Sequence, residues 1–167
     1  MWQIGKQILT LTKSYAVYFL LVCGLVFAGA APGQEKSVVT DSLRGVAISG
    51  YDPVAYFTED AAVLGTSLYE YEWNEATWYF ASAANRDVFI SNPEIYAPLF
   101  GGHCAMAMAR GYLARSNPQI FRVVGGRLML FYSIGNRAAF DLAPASALAD
   151  AFGHWDPLPD RRASAPQ

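Results

Sequence analysis

The stretch that most constrains the fold is "QIFRVVGGRLMLFYS", Gln119–Ser133. Two apolar runs, each too short for a stable helix, flank Gly125-Gly126, a pair able to take the positive φ of a tight hairpin turn. It is the clearest hairpin in the sequence, and a chain that carries it must supply other elements to cover its apolar residues.

Those elements can be read off in order. "SLYEYEWNEATWYFAS", Ser67–Ser82, is a second hairpin: aromatic and β-branched residues run into a polar turn at Asn74-Glu75-Ala76 and return through Thr77–Phe80. Ser82 reads as an N-cap for a helix through "AANRDVFISN", and Pro93 ends it while suiting the first turn of a short helix in "PEIYAPLF". Gly101-Gly102 breaks the chain, and "IGNRAAFDLAPASALADAFGHW" carries helical spacing at Ala139, Phe140, Leu148 and Phe152. In "GVAISGYDPVAYF", Pro53 keeps Asp52 extended, so a loop interrupts an apolar segment. The Asp52 side chain is expected to bond its own backbone there. Tyr51, Tyr56, Trp73, Trp78, Tyr79 and Phe80 are expected in the core, the alternative being a small aromatic ligand pocket. The sum is an α+β domain, two hairpins with several short helices on one face. It reads as non-repeating and spans 45–156, after a polar lead-in at 32–44 that is expected to be flexible. A Pro-rich tail at 157–167 is expected to be disordered.

The first 31 residues have a different character. "MWQIGKQILTLTKS" holds Lys6 and Lys13 and no acid, Tyr15–Ala31 is uncharged over 17 residues, and Ala28-Gly29-Ala30 offers small residues at its end. Together these read as a secretory signal cleaved after Ala30 or Ala31, with an uncleaved anchor as the alternative. The expected location is therefore the exported, periplasmic space, with membrane contact only through this segment if it is retained. Cleavage leaves ten Lys/Arg against fourteen Asp/Glu, a net charge of −4. With no basic stripe, nucleic-acid binding is excluded. It also removes Cys23 and leaves Cys104 as a lone thiol, which cannot form an internal disulfide.

The chemistry concentrates in "GGHCAMAMARG", Gly101–Gly111. The whole chain has two His, two Cys and four Met, and this stretch holds His103, Cys104, Met106 and Met108. In a helix, Cys104 and Met108 share one face while His103 and Met106 share another edge. In a strand, Cys104, Met106 and Met108 all point the same way. Thiolate, thioether and imidazole together favour Cu(I). Free Cys and Met are equally at home in a core. A reactive thiol beside His103 or Arg110 is a third reading, and a Cys104–His154 nucleophile pair a fourth. No phosphate loop, Ser-His-Asp order or paired-carboxylate motif is present, so the chain is not expected to be an ordinary hydrolase or nucleotide enzyme.

"GYDPVAYF", "WYFASAANRDVFISNPEIYAP" and "GGHCA" resemble the YHS domain family, in particular its exported bacterial stand-alone branch, and the resemblance runs from Gly45 to Trp155. It implies heavy-metal binding, because short YHS modules accompany metal-transporting ATPases. The departures matter. Where those modules carry Cys after Asp-Pro-Val and around Tyr-Phe, this chain has Ala55, and Ala81, Ser82, Ala83 and Ala84. A Cys₄ or Cys₃His zinc site is thereby excluded within one chain. What remains is Gly-Gly-X-Cys-Ala, here with His103 as X. The expectation is an exported, non-enzymatic module that binds a soft metal ion such as Cu(I) through Cys104, His103, Met108 and Met106. The alternatives are a non-catalytic interaction domain with a buried Cys104, or a thiol-based redox protein.

Overall fold

A computed structural model describes residues 37–41, 43–156 and 158. The proposed signal segment and almost all of the proposed tail lie outside the described residues. Strands β1 (Thr66–Trp73) and β2 (Ala76–Phe80) form one antiparallel hairpin, and β3 (Asn117–Val124) and β4 (Arg127–Phe131) form another. The α-helices are α1 (Ala55–Thr58), α2 (Ala83–Ser91), α3 (Pro93–Tyr96), α4 (Ala105–Ala109), α5 (Ile134–Leu142) and α6 (Pro144–Trp155). The class is α+β, as expected. Both hairpin turns need positive φ at two consecutive residues, supplied by Asn74 and Glu75 in the first and by Gly125 and Gly126 in the second.

The described domain is built twice from one plan. Hairpin β1–β2 pairs Thr66 with Phe80, Glu70 with Tyr79, Tyr71 with Trp78, Glu72 with Thr77 and Trp73 with Ala76. Each pair recurs 51 residues later as Asn117 with Phe131, Phe121 with Leu130, Arg122 with Met129, Val123 with Leu128 and Val124 with Arg127, and the register slips at the same step. Each hairpin runs into a capped helix: Ser82 Oγ accepts from the Asn85 amide and Ser133 Oγ from the Asn136 amide. Each helix stops at a residue of similar backbone angles, Asn92 (φ −148, ψ 60) and Ala143 (φ −151, ψ 68), and a proline opens the next helix. The plan also covers what precedes each hairpin. Ile48, Ser49 and Gly50 have positive φ, as do Phe100, Gly101 and Gly102. Two residues on, Asp52 N–H donates to Val63 O and Cys104 N–H to Ala114 O. This corrects the reading of a non-repeating chain. The two copies share few identical residues, so what repeats is geometry.

Strand β4 joins the copies. Its side chains alternate between faces. Leu128 and Leu130 enter one core with Ile48, Val54, Tyr56, Trp78, Phe80 and Phe89. Met129 and Phe131 enter the other with Leu99, Phe100, Cys104, Met108 and Phe140. Leu128, Met129, Leu130 and Phe131 are all fully buried, and Arg127 at the start of the strand is exposed. In the first core Phe89 collects Trp73, Trp78 and Phe80 at ring-centroid distances of 5.7, 5.2 and 5.1 Å. The expected aromatic core is present, with Tyr79 set apart at a shallow, half-open hollow beside Arg44 and Ser49.

Part of the expected lead-in is tied down. Val39 N–H donates to Gly101 O, Ile48 N–H to Val39 O, and Asp41 N–H to Val46 O. Val39 is buried, so residues 39–41 belong to the domain edge.

Candidate functional site

The site begins at the turn before α4. Phe100, Gly101 and Gly102 have φ of 57, 60 and 82. Gly101 is required twice over: its φ favours glycine, and a Cβ there would lie 2.0 Å from the Ser37 carbonyl oxygen. The turn delivers His103 and Cys104 in extended conformation, Cys104 serving as the N-cap residue of α4. Ser116 Oγ donates to Gly102 O at 2.6 Å and closes the loop behind them.

The four predicted side chains differ in burial. Cys104 and Met108 turn inward and have 0% and 1% exposure. They pack with Leu99, Phe100, Met129, Phe131 and Phe140. Met106 is half-buried at the edge of the same cluster, and His103 is half-buried as well. Between them Ala105 and Ala107 are buried, small enough to let α4 lie close against α6.

Cys104 has one polar contact that spacing did not reveal. Asn136 Nδ2 donates to Cys104 Sγ at 3.7 Å. Asn136 Oδ1 in turn accepts from Arg110 Nη1 at 3.4 Å, so a short polar chain leads from the buried sulfur to an exposed guanidinium. The corresponding place in the first copy is held by Asp52, fully buried. Its Oδ1 accepts from the Val54 and Ala55 amides at 2.8 and 3.4 Å, and its Oδ2 from the Ala81 amide at 2.8 Å and Asn85 Nδ2 at 2.7 Å. Asp52 thus caps its turn, as expected, and also fastens hairpin β1–β2 and helix α2 to it. The signal that could have revealed Asn85 and Asn136 is F-x-S-x-x-N-R-x-x-F-x-x-x-P, which occurs at Phe80–Pro93 and again at Phe131–Pro144.

His103 is the unsatisfied member. Both ring nitrogens are sealed from solvent, and neither has a hydrogen-bond partner. Burial pushes its pKa below the ordinary imidazole value. The nearby carbonyls of Ala114 and Ser37 oppose that shift without bonding the ring in good geometry, and Arg115 adds to it. The Trp155 ring lies 6.4 Å away, centroid to centroid. His154 goes elsewhere: it is exposed, with its ring over Gly111, where an added Cβ would sit 3.3 Å from Nε2. The structure therefore gives Cys104 an amide partner and not an imidazole.

Among the described residues, no three His, Cys, Asp or Glu side chains are grouped to hold a metal ion, and no helix is long and apolar enough to cross a membrane. No family model matches the chain, and no curated protein or solved structure matches it either.

Proposed function

We propose that this is an exported YHS-type domain that acts by binding, not catalysis, and that it takes up a soft metal ion at His103. One observation carries the reading: both ring nitrogens of the half-buried His103 are shut off from solvent, and neither meets a partner in good hydrogen-bond geometry. An unmade buried hydrogen bond costs about 1–3 kcal/mol, and a native structure rarely leaves such a group without an ion or water. Burial holds the ring neutral, the form that ligates metals. The nearest soft side chain in sequence on the half-buried edge is Met106. Imidazole with thioether favours Cu(I) over harder ions. The order of ligands changes accordingly. His103 comes first and Met106 second, whereas Cys104 and Met108 could join only if the second core opened.

A second reading is favoured by a different observation. Cys104 is fully buried and stands where Asp52 stands in the first copy, as expected of a structural thiol in an interaction domain that binds no metal. Titration with Cu(I) against a competing chelator separates the two. On the metal reading the chain takes up one ion per molecule, His103→Ala abolishes uptake, and Cys104→Ser retains affinity within about tenfold. Loss in Cys104→Ser with full retention in His103→Ala would move the site to the thiol. No uptake by the unaltered chain would leave the interaction domain.

A further inference from the structure

We propose that the hollow beside Tyr79 is a self-association site: a second copy of this chain inserts its Leu43 there, and its own hollow takes Leu43 in return. The inference rests on the internal duplication and is independent of metal binding. The hollow is half-open and measures about 160 Å³, room for one aliphatic side chain. Gly50 lies at its base, with the side chains of Val46 and Tyr79 against it.

The second copy has the same cradle, and there it is full. A Cβ on Gly50 would lie 3.5 Å from Tyr79 Cδ2 and 3.8 Å from Val46 Cγ1, with nothing else within 4 Å. A Cβ on Gly102, the counterpart of Gly50, would meet the corresponding walls, Leu130 Cδ1 at 3.8 Å and Pro98 Cγ at 3.3 Å, and in addition Ile48 Cγ2 at 3.0 Å. Ile48 thus fills in the second copy the place that stands open in the first. The preceding residue repeats the contrast. The Ser37 carbonyl lies over Gly101, and Val39 N–H donates to Gly101 O. The counterpart of Gly101 is Ser49, which is exposed, and among the described residues no backbone N–H donates to Ser49 O. A cradle lined on one side only forfeits the contacts that its counterpart makes.

The side chain that fits stands beside the opening. Leu43 is 92% exposed in a turn flanked by Asp41 and Arg44, and both of those residues line the hollow. Leu64, 63% exposed, adds apolar surface to the rim. A projection and a recess on one face are what a two-fold contact requires, because each chain then gives and receives the same side chain. Charge agrees with that symmetry. The rim carries one acid and one base, and Arg44 has no ion-pair partner among the described residues. A two-fold axis through this face would set Asp41 of each chain against Arg44 of the other. The turn is also fixed in advance: Asp41 Oδ1 accepts from the Leu43 and Arg44 amides at 2.7 and 3.2 Å, so docking has little backbone to order.

The test is sedimentation equilibrium of the full chain at concentrations up to about 1 mM, because one side chain in one recess per chain lies at the small, weak end of interfaces. The expected result is a monomer–dimer equilibrium. Leu43→Asp and Leu64→Asp remove exposed side chains and should keep the fold, as circular dichroism would verify, yet each should weaken the dimer about tenfold or more. Leu142→Asp, at a residue 88% exposed that does not line the hollow, should leave the dimer unchanged. A chain that stays monomeric throughout overturns the proposal and leaves the hollow to a partner of other sequence. So does association that Leu43→Asp and Leu64→Asp fail to weaken, association that Leu142→Asp weakens as much as they do, or growth past the dimer.

Discussion

Among the described residues no cation pairs with Asp52. Four neutral N–H groups hold its carboxylate instead, and bonds to an ionised acceptor are the strong kind. Asp52→Ala would leave those donors buried and unpaired, so the expected loss is about 3 kcal/mol in urea unfolding. Asp52→Asn keeps one acceptor oxygen and should lose clearly less. His103 sets a pH dependence of known sign. Its folded-state pKa lies below the unfolded value of about 6.5. The unfolded chain therefore binds more protons in the interval between the two. Stability is fully present above pH ~6.5 and falls as the pH drops through that interval. Unfolding free energy measured from pH 7.5 to 5 should decline, and His103→Phe should flatten the decline. An equal slope in the variant would assign the effect to other groups. Tyr56 is a different case. Burial raises its phenol well above the ordinary range, and its hydroxyl donates to Pro118 O at 2.9 Å, so it stays neutral wherever the fold persists.

At the scale of elements, the duplication makes matched predictions. Ser82 and Ser133 cap α2 and α5 through the same contact, at 3.1 and 3.2 Å. Ser82→Ala and Ser133→Ala should each cost about 1 kcal/mol. They lie in different copies and share no partner, so the double variant should show the sum within about 0.5 kcal/mol. The start of α2 was legible because a cap is a local transaction between a side-chain oxygen and an amide three residues on. Both hairpin turns were legible for the same reason. The kinship of the two halves was not, because hydrogen-bond register and backbone angles repeat while most side chains do not. From each hairpin's first strand to the proline that follows, only Phe, Ser, Asn, Arg, Phe and Pro recur at fixed positions, and each has a local reading that conceals the pattern. Gly65 shows how tight the plan is: a Cβ there would lie 2.5 Å from the Tyr79 carbonyl carbon. Gly65→Ala should displace the strand and cost about 1–3 kcal/mol.

For the whole molecule, β4 decides the cooperativity. Leu128 and Leu130 complete the first core although they belong to the second copy, and Met129 and Phe131 complete the second. The first copy cannot complete its core alone, and without it Leu128 and Leu130 of the second copy would face water. Unfolding should therefore be one transition, coincident by near-UV circular dichroism and tryptophan fluorescence. Fragments divided between Tyr96 and Leu99 should be unfolded separately. Leu130→Ala should cost about 2–5 kcal/mol and shift both probes together. Two resolved transitions would show that the copies are independent.

The sequence by itself determined what depends on near neighbours: the two hairpins and their turns, the Ser82 cap, the Pro93 boundary and the α+β class. Only the tertiary structure decided what depends on residues far apart in the chain. It placed Asn136 on Cys104, Asn85 on Asp52, Ser37 against Gly101, and left the His103 nitrogens sealed without partners. A side chain's hydrogen-bond partner is set by the fold that brings distant backbone together, so its chemistry is fixed by the neighbours it meets and not by its spacing in the sequence.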